Sequence, residues 1–414
     1  MNKFNVILGM VIFLVSCSKP GCTDPTATNY NEKAKKDDGT CEYVAEPLPS
    51  STVIKAGAIT ANETWTADNV YKLVGKVVVE DGVTLTIEPG TIVKGEEGTG
   101  TLASALVVAQ GGMLNAVGTA SAPIIFTSVL DNIQPGQLTG TNLDETDQGL
   151  WGGIIVLGRA KVSAGDGDVL SQIEGIPTSD AFGAFGGTDD ADNSGHLEYI
   201  SIRHGGALIG AGNEINGLTL GGVGAGTTIS NIEVVANLDD GVEFFGGTVN
   251  ATNIIVGFQG DDGIDIDMNY AGTVDNFVVV NGTNSDESME IDGPEGTTYT
   301  TGLFTLTNGA VNGNVDLKSN AQGILTNLIL NNIKIRCNFL TDCTTEKTDA
   351  YTNLVDGNLI ISNTNFSNVE VYTATSCTIP STYQTTTENL IQNSSPTLSP
   401  LNWSWTWMSA NSKL

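Results

Sequence analysis

The chain has 414 residues, 50 of them glycine, and its 47 acidic against 17 basic side chains leave a formal charge of −30. Such a charge repels phosphate backbones and anionic headgroups, which argues against a nucleic-acid partner. With His196 and His204 as the only imidazoles, histidine-built zinc sites and histidine relays have almost no material, so a bound metal would be held by oxygen.

Residues 1–16 carry Lys3 and then an apolar stretch from Phe4 to Val15, too short to span a bilayer, as in a secretion signal. Leu14-Val15-Ser16-Cys17 resembles the lipobox of bacterial lipoproteins, which implies cleavage before Cys17 and acylation of its thiol. Several acyl chains anchor a protein stably without a membrane-crossing segment. Ser18 after the cysteine, by resemblance to bacterial sorting rules, implies the outer membrane, periplasmic or surface side left open. Residues 17–51 then hold a small module and a linker, the latter Glu46 to Ser51. "GCTDPTATNYNEKAKKDDGTCEY" resembles a module of secreted Bacteroidetes proteins, and Cys22 and Cys41 at its ends are expected to pair in an oxidising compartment. Asp24, Asn29, Asp37 and Asp38 lie in it at spacings that miss the EF-hand pattern, so a plain spacer is the preferred reading.

From residue 52 to 400 short alternating apolar runs recur between Gly, Asn, Asp and Thr, with no helical periodicity, and predict strands joined by tight turns. Segments beginning at Ile215, Asp239, Asp261, Asp286 and Asn312 align so that Leu218, Val242, Ile264, Met289 and Val315 coincide, at separations of 24, 22, 25 and 26 residues. A drifting repeat of this size predicts a right-handed parallel β-helix, an all-β solenoid. Asn231, Asn253, Asn276 and Asn327 recur in the following half-turn as a ladder of turn asparagines.

The strand period of two then assigns faces. With the residues at Val242/Phe244 and their equivalents inward, one outward column is Thr219, Glu243, Asp265, Glu290, Asp316. A second is Gly221, Phe245, Asp267, Asp292, Lys318. The preceding turn adds Asp239/Asp240, Asp261/Asp262 and Asp286/Glu287, so twelve carboxylates share one strip. Rungs about 4.8 Å apart place neighbouring carboxylates where they repel by about 1 kcal/mol in water and roughly 3 to 4 kcal/mol at an effective dielectric constant of 20. Divalent calcium is the best-motivated compensation, with Asp240, Glu243, Asp262, Asp265, Asp267, Glu287, Glu290, Asp292 and Asp316 as candidate ligands and Lys318 as the one cation in the strip. A solvated acidic face, its carboxylates accepting turn N–H groups, is the alternative.

"LWGGIIVLG", "QIEGIP", "LEYISIRHGG", "EINGLTLGGVGAGTTISNIEV", "DDGVEFFGGTVNATNIIV" and "DDGIDIDMNYAGTV" together resemble a family of secreted or lipid-anchored β-helix proteins of Bacteroidetes, from about Ala58 to the C-terminus. The resemblance implies the fold and no particular activity. Parallel β-helices also serve polysaccharide lyases and polygalacturonase-like hydrolases, and "QGDD" (Gln259 to Asp262) is similar to the paired aspartates of the hydrolases, whose remaining motifs are missing. An enzyme here would be a calcium-dependent lyase or a hydrolase of acidic polysaccharide, using Lys318 as base with Asp261 and Asp262.

Other features receive bland expectations beside sharper ones. Arg203-His204 at a rung corner could bind an anionic sugar or form a turn, and "GGVGAG" (Gly221 to Gly226) reads as a glycine turn between rungs, with no helix after it to bind phosphate. Cys337 and Cys343 flank a short loop and are expected to pair, unless Cys377 displaces one of them. Trp403, Trp405 and Trp407 in residues 401–414 read as a capping strand over the end of the solenoid. The sequence thus points to an outer-membrane lipoprotein with a calcium-binding, non-catalytic acidic face and a glycan or outer-membrane protein as partner. The alternatives are the enzyme above and a purely structural surface protein.

Overall fold

The computed structural model describes residues 19–25, 27–41, 51–165, 169–173, 176, 181–209, 214–398 and 402–414. The signal peptide, Cys17 and most of the linker lie outside them. Two compact units are present, residues 1–47 and 48–414. In the first, Cys22 and Cys41 form the expected disulfide. Asp37 and Asp38 each turn Oδ1 onto a backbone N–H two residues ahead, at 3.0 and 3.1 Å. Their carboxylates are thus used as turn acceptors.

The second unit is a parallel β-helix: every pairing in its 23-stranded sheet is parallel. Three ladders of strands run its length. The first stacks Lys76–Val79, Ala105–Val108, Ile154–Leu157, Leu218–Gly221, Val242–Phe245, Ile264–Asp267, Met289–Ile291, Asn314–Leu317, Asn332–Arg336 and Asn368–Tyr372. The other two are the halves of long strands such as Thr228–Val235 and Asn250–Gly257.

Those long strands bend at Asn231, Asn253, Asn276, Asn308 and Asn327, each at a φ between 55° and 66°. Asparagine tolerates this left-handed conformation better than most residues. The side chains also bond from coil to coil: Asn253 donates to Asn231 at 3.1 Å, Asn276 to Asn253 at 3.0 Å, and Asn363 to Asn327 at 2.9 Å. The expected ladder is therefore present, with Asn308 and Asn363 as further members. Asn308 crosses to Asp275 instead of Asn276, at 2.6 Å.

Inward positions form one continuous apolar core, with Leu218, Val242, Ile264, Met289 and Val315 buried at 0–1% exposure in the predicted register. Helices, which the sequence pattern did not announce, close its C-terminal end. Ala350–Asp356 starts from an Asp349/Thr352 capping box and stops at Gly357 in the left-handed conformation. Ser381–Leu390 lies beside it, Tyr351 stacking on Tyr383 at 4.3 Å.

The tryptophan segment does not cap this end. Residues 402–414 form a turn and a short helix, Trp407–Ala410, against the flank of early coils, with Trp407 and Met408 packed on Val235, Ala236 and Ile255. Glu233 fixes it by accepting the N–H groups of Trp407 and Met408, both at 2.9 Å. The predicted capping strand is thus a flank-bound helix. The apolar outward faces of Val235 and Ile255 gain more from covering there than the already closed end would.

Candidate acidic cation site

On the first ladder the outward column runs Val78, Val107, Ile155, Thr219, Glu243, Asp265, Glu290, Asp316, Lys334. The acidic part matches the register expected from the sequence. Its apolar start is covered by the long segment between Leu157 and Gly195, which lays Val162, Ile173, Ile176 and Phe185 over Val78, Val107 and Ile155. The cover ends where the carboxylates begin, and its rim helps to wall a cavity of about 230 Å³.

Asp239, Asp240, Glu243, Asp261, Asp267 and Glu214 line this cavity, with no basic residue among its described lining residues. Asp240, Glu243 and Asp265 each bring a carboxylate oxygen within 4.8 Å of the other two, and so do Asp239, Asp240 and Asp261. Calcium–oxygen bonds of about 2.3–2.6 Å allow oxygens of one coordination shell to lie at that separation. Burial first, and then the neighbouring acids, push Asp240, Glu243 and Asp265 well above the usual carboxyl range. The same causes push Asp262 up to about 9 and Asp267 up to about 8.

Part of the strip is structural. Asp240 Oδ1 accepts the N–H of Asp262 at 2.9 Å, and Asp262 Oδ1 that of Glu287 at 2.8 Å, so these turn acids tie each coil to the next. That is the work the solvated-face reading assigned to them. It leaves other oxygens unused: Asn216 Oδ1, Asp265 Oδ1 and Glu287 Oε2 are buried with no hydrogen-bond partner. All three are acceptors, and Asn216 already donates its amide to Glu243. Asn216 lines the cavity and Asp265 belongs to the triad beside it, so this end of the strip still lacks a cation or a donor and its residues fit an oxygen-ligated ion.

The far half of the strip carries its own cations. Lys318 pairs with Glu290, and Ser319 N–H donates to Asp292 at 2.8 Å. Burial works against charge on Lys318, but Glu290 outweighs it and raises the lysine pKa. Lys334 extends the column beyond the expected residues and reaches Glu287 at 2.6 Å and Asp316 at 3.0 Å, while Tyr372 donates to Asp316 at 2.8 Å. Lys318 is therefore not the one cation of the strip. Glu287, Glu290 and Asp316 are compensated by side chains, whereas the triad about Asp240 is not.

Two further expectations are corrected. Arg203 and His204 are both fully buried, which removes them as ligand-binding residues of the surface. Arg203 donates to Ser201 Oγ and Leu138 O, each at 2.7 Å, and His204 Nδ1 lies 2.7 Å from Asp147 O. Both instead hold the loop before Trp151 onto the coils. Cys343 pairs with Cys377, leaving Cys337 as a buried thiol. Cys337 points into the core cluster, which takes it out of reach of the loop it borders. The turn Gly221 to Gly226 is a close-packed crossing, as expected: a Cβ on Gly224 would stand 2.5 Å from Asp192 N. Gln259 of "QGDD" is buried and spends its amide on Asn281 Oδ1 and Glu287 O, at 3.1 and 3.3 Å.

No helix among the described residues is long and apolar enough to cross a membrane. Comparison with curated proteins and with solved structures finds no match. Residues 57–408 match the family described as pectate-lyase like beta helix domain, a span that begins in the first coil and ends in the flank helix. On that match, and on the stacked parallel coils, the chain belongs to the pectate-lyase-like β-helix family.

Proposed function

We propose that the chain is a lipid-anchored outer-membrane protein whose β-helix binds calcium at Asp240, Glu243 and Asp265, with Asp239 and Asp261 beside them, and offers that face to a glycan or protein partner without acting on it. The observation that carries this reading is the uncompensated triad: carboxylate oxygens within 4.8 Å of one another beside orphaned acceptors, in the half of the strip that has no lysine. Asp262, Asp267, Glu287, Glu290, Asp292 and Asp316, also candidates from the sequence, serve as turn acceptors, ion-pair partners or outer neighbours of that centre. Calcium added to metal-free protein is expected to raise the melting temperature. Palmitate labelling that disappears in a Cys17→Ala variant tests the anchor.

A second reading, a polysaccharide lyase or hydrolase, is favoured by the family itself. Against it, Lys318 is held by Glu290 as a partner charge, and a lysine so paired stays protonated and has no free amine to take a proton. Ultraviolet absorbance of unsaturated uronates on incubation with pectin, alginate and glycosaminoglycans decides the lyase branch. A reducing-sugar assay on the same polymers decides the hydrolase branch.

A further inference from the structure

The cavity beside the triad has an apolar side that a metal ion does not require. Ile155, Ile173, Ile209, Ile215 and Phe245 line it together with the carboxylates. It shares Ile173, Phe245 and Asp267 with a neighbouring cavity of about 310 Å³ that also meets Glu295. The two cavities thus adjoin along Ile173, Phe245 and Asp267, with Glu243 lining the first and Glu295 the second. Hydrocarbon walls between anionic ends suit a ligand with positive ends and an apolar middle.

A second, independent observation points the same way. Asn216 is 6% exposed and lines the cavity, and its Oδ1 is buried without a partner while its Nδ2 is bound to Glu243. A buried carbonyl left unpaired is costly, and a donor or a cation satisfies it. A protonated primary amine supplies three N–H donors and a charge at one atom. Calcium would meet the charge and make no use of the ring.

We propose that these adjoining cavities bind an alkyl diamine or polyamine. One ammonium sits between Asn216 Oδ1 and Glu243, the methylenes lie against Ile173 and Phe245, and the second ammonium meets Asp267 and Glu295. The inference rests on reading the strip as a cation-binding face and adds an organic cation that competes with calcium for Glu243.

Calorimetric titration of the metal-free full chain with cadaverine, spermidine and pentylamine tests it. Both polyvalent amines bind, the monoamine binds about tenfold or more weakly, and added calcium weakens the diamine. Phe245→Leu, which removes the ring and keeps every carboxylate, and Glu295→Gln, at the other end, each weaken cadaverine about tenfold and leave the heat of calcium binding as it was. The inference is overturned if metal-free protein takes up neither diamine, if pentylamine binds as well as cadaverine, or if a lysine peptide binds where free diamines do not. A protein that binds calcium and no amine would sink this inference alone, and one that binds amine and no calcium would sink the calcium reading alone.

Discussion

Replacing Asp262 by asparagine separates electrostatic load from hydrogen bonding. Asp262 is 5% exposed, and its Oδ1 accepts the N–H of Glu287 at 2.8 Å, a bond the asparagine carbonyl can keep. Its carboxyl is pushed up to about 9 from 3.8, by burial first and by Glu290 and Asp261 next. Between those values the folded state holds a proton that the unfolded chain has released, so this group's contribution to stability falls as pH rises from about 4 to about 9. At pH 7 the difference spans 3.2 pKa units (7 less 3.8), an upper bound of about 4 kcal/mol at 1.36 kcal/mol per unit. Protons shared with Glu290 and Asp261 reduce the expected gain of Asp262→Asn to about 2 kcal/mol. Urea unfolding in chelator at pH 5 and pH 8 measures it, with a higher midpoint for the variant at pH 8 and a smaller gain at pH 5. A variant no more stable than the parent at pH 8, or a gain independent of pH, would refute the reasoning.

Removing the Lys334 cation by Lys334→Met strands Glu287 and Asp316, whose side chains are 7% and 8% exposed, and is expected to cost about 3 kcal/mol, read as a lower denaturant midpoint. Glu233→Ala removes the acceptor of Trp407 N–H, Met408 N–H and Ser201 Oγ–H, so about 2 kcal/mol is lost and the C-terminal segment becomes the first site of limited proteolysis. Cys343→Ser opens a disulfide of sequence separation 34 and costs about 4 kcal/mol on the loop-entropy estimate. In the parent chain, Cys337 reacts with a thiol label after unfolding without reductant and resists it when folded, since burial first pushes the thiol up to about 12.

The register of the acidic strip was legible in the sequence because a strand has period two and every coil has to place the same side inward. Once Leu218, Val242, Ile264, Met289 and Val315 were aligned, the outward column could follow only one path. The asparagine bends were legible for a related reason: each coil needs a residue that tolerates positive φ at the same corner. Lys334 escaped notice since its coil is short, Asn332 following its partner Asn314 by only 18 residues where the earlier spacing was 22 to 26. The two end helices fell in polar segments with little apolar periodicity of their own, and tertiary contacts such as Tyr351 on Tyr383 hold them.

Long-range choices were the least legible. Which two of three C-terminal cysteines meet depends on how the chain returns over the last coil, and nothing in local spacing encodes that return. The same holds for the tryptophan segment. Its landing place is set by Glu233, and by Gly257, where a Cβ would stand 2.6 Å from the Met408 sulfur. The cover over Val78, Val107 and Ile155 also had no local signature, yet it decides where the acidic strip opens into a cavity.

The central claim is that charge compensation at the triad comes from a bound divalent ion. Isothermal titration of calcium into the metal-free parent and into a Glu243→Gln/Asp265→Asn double variant tests it most directly. The account predicts saturable heat with proton release for the parent, and none for a double variant that remains folded. Absence of heat from the parent at millimolar calcium, or equal heat from both proteins, would contradict it.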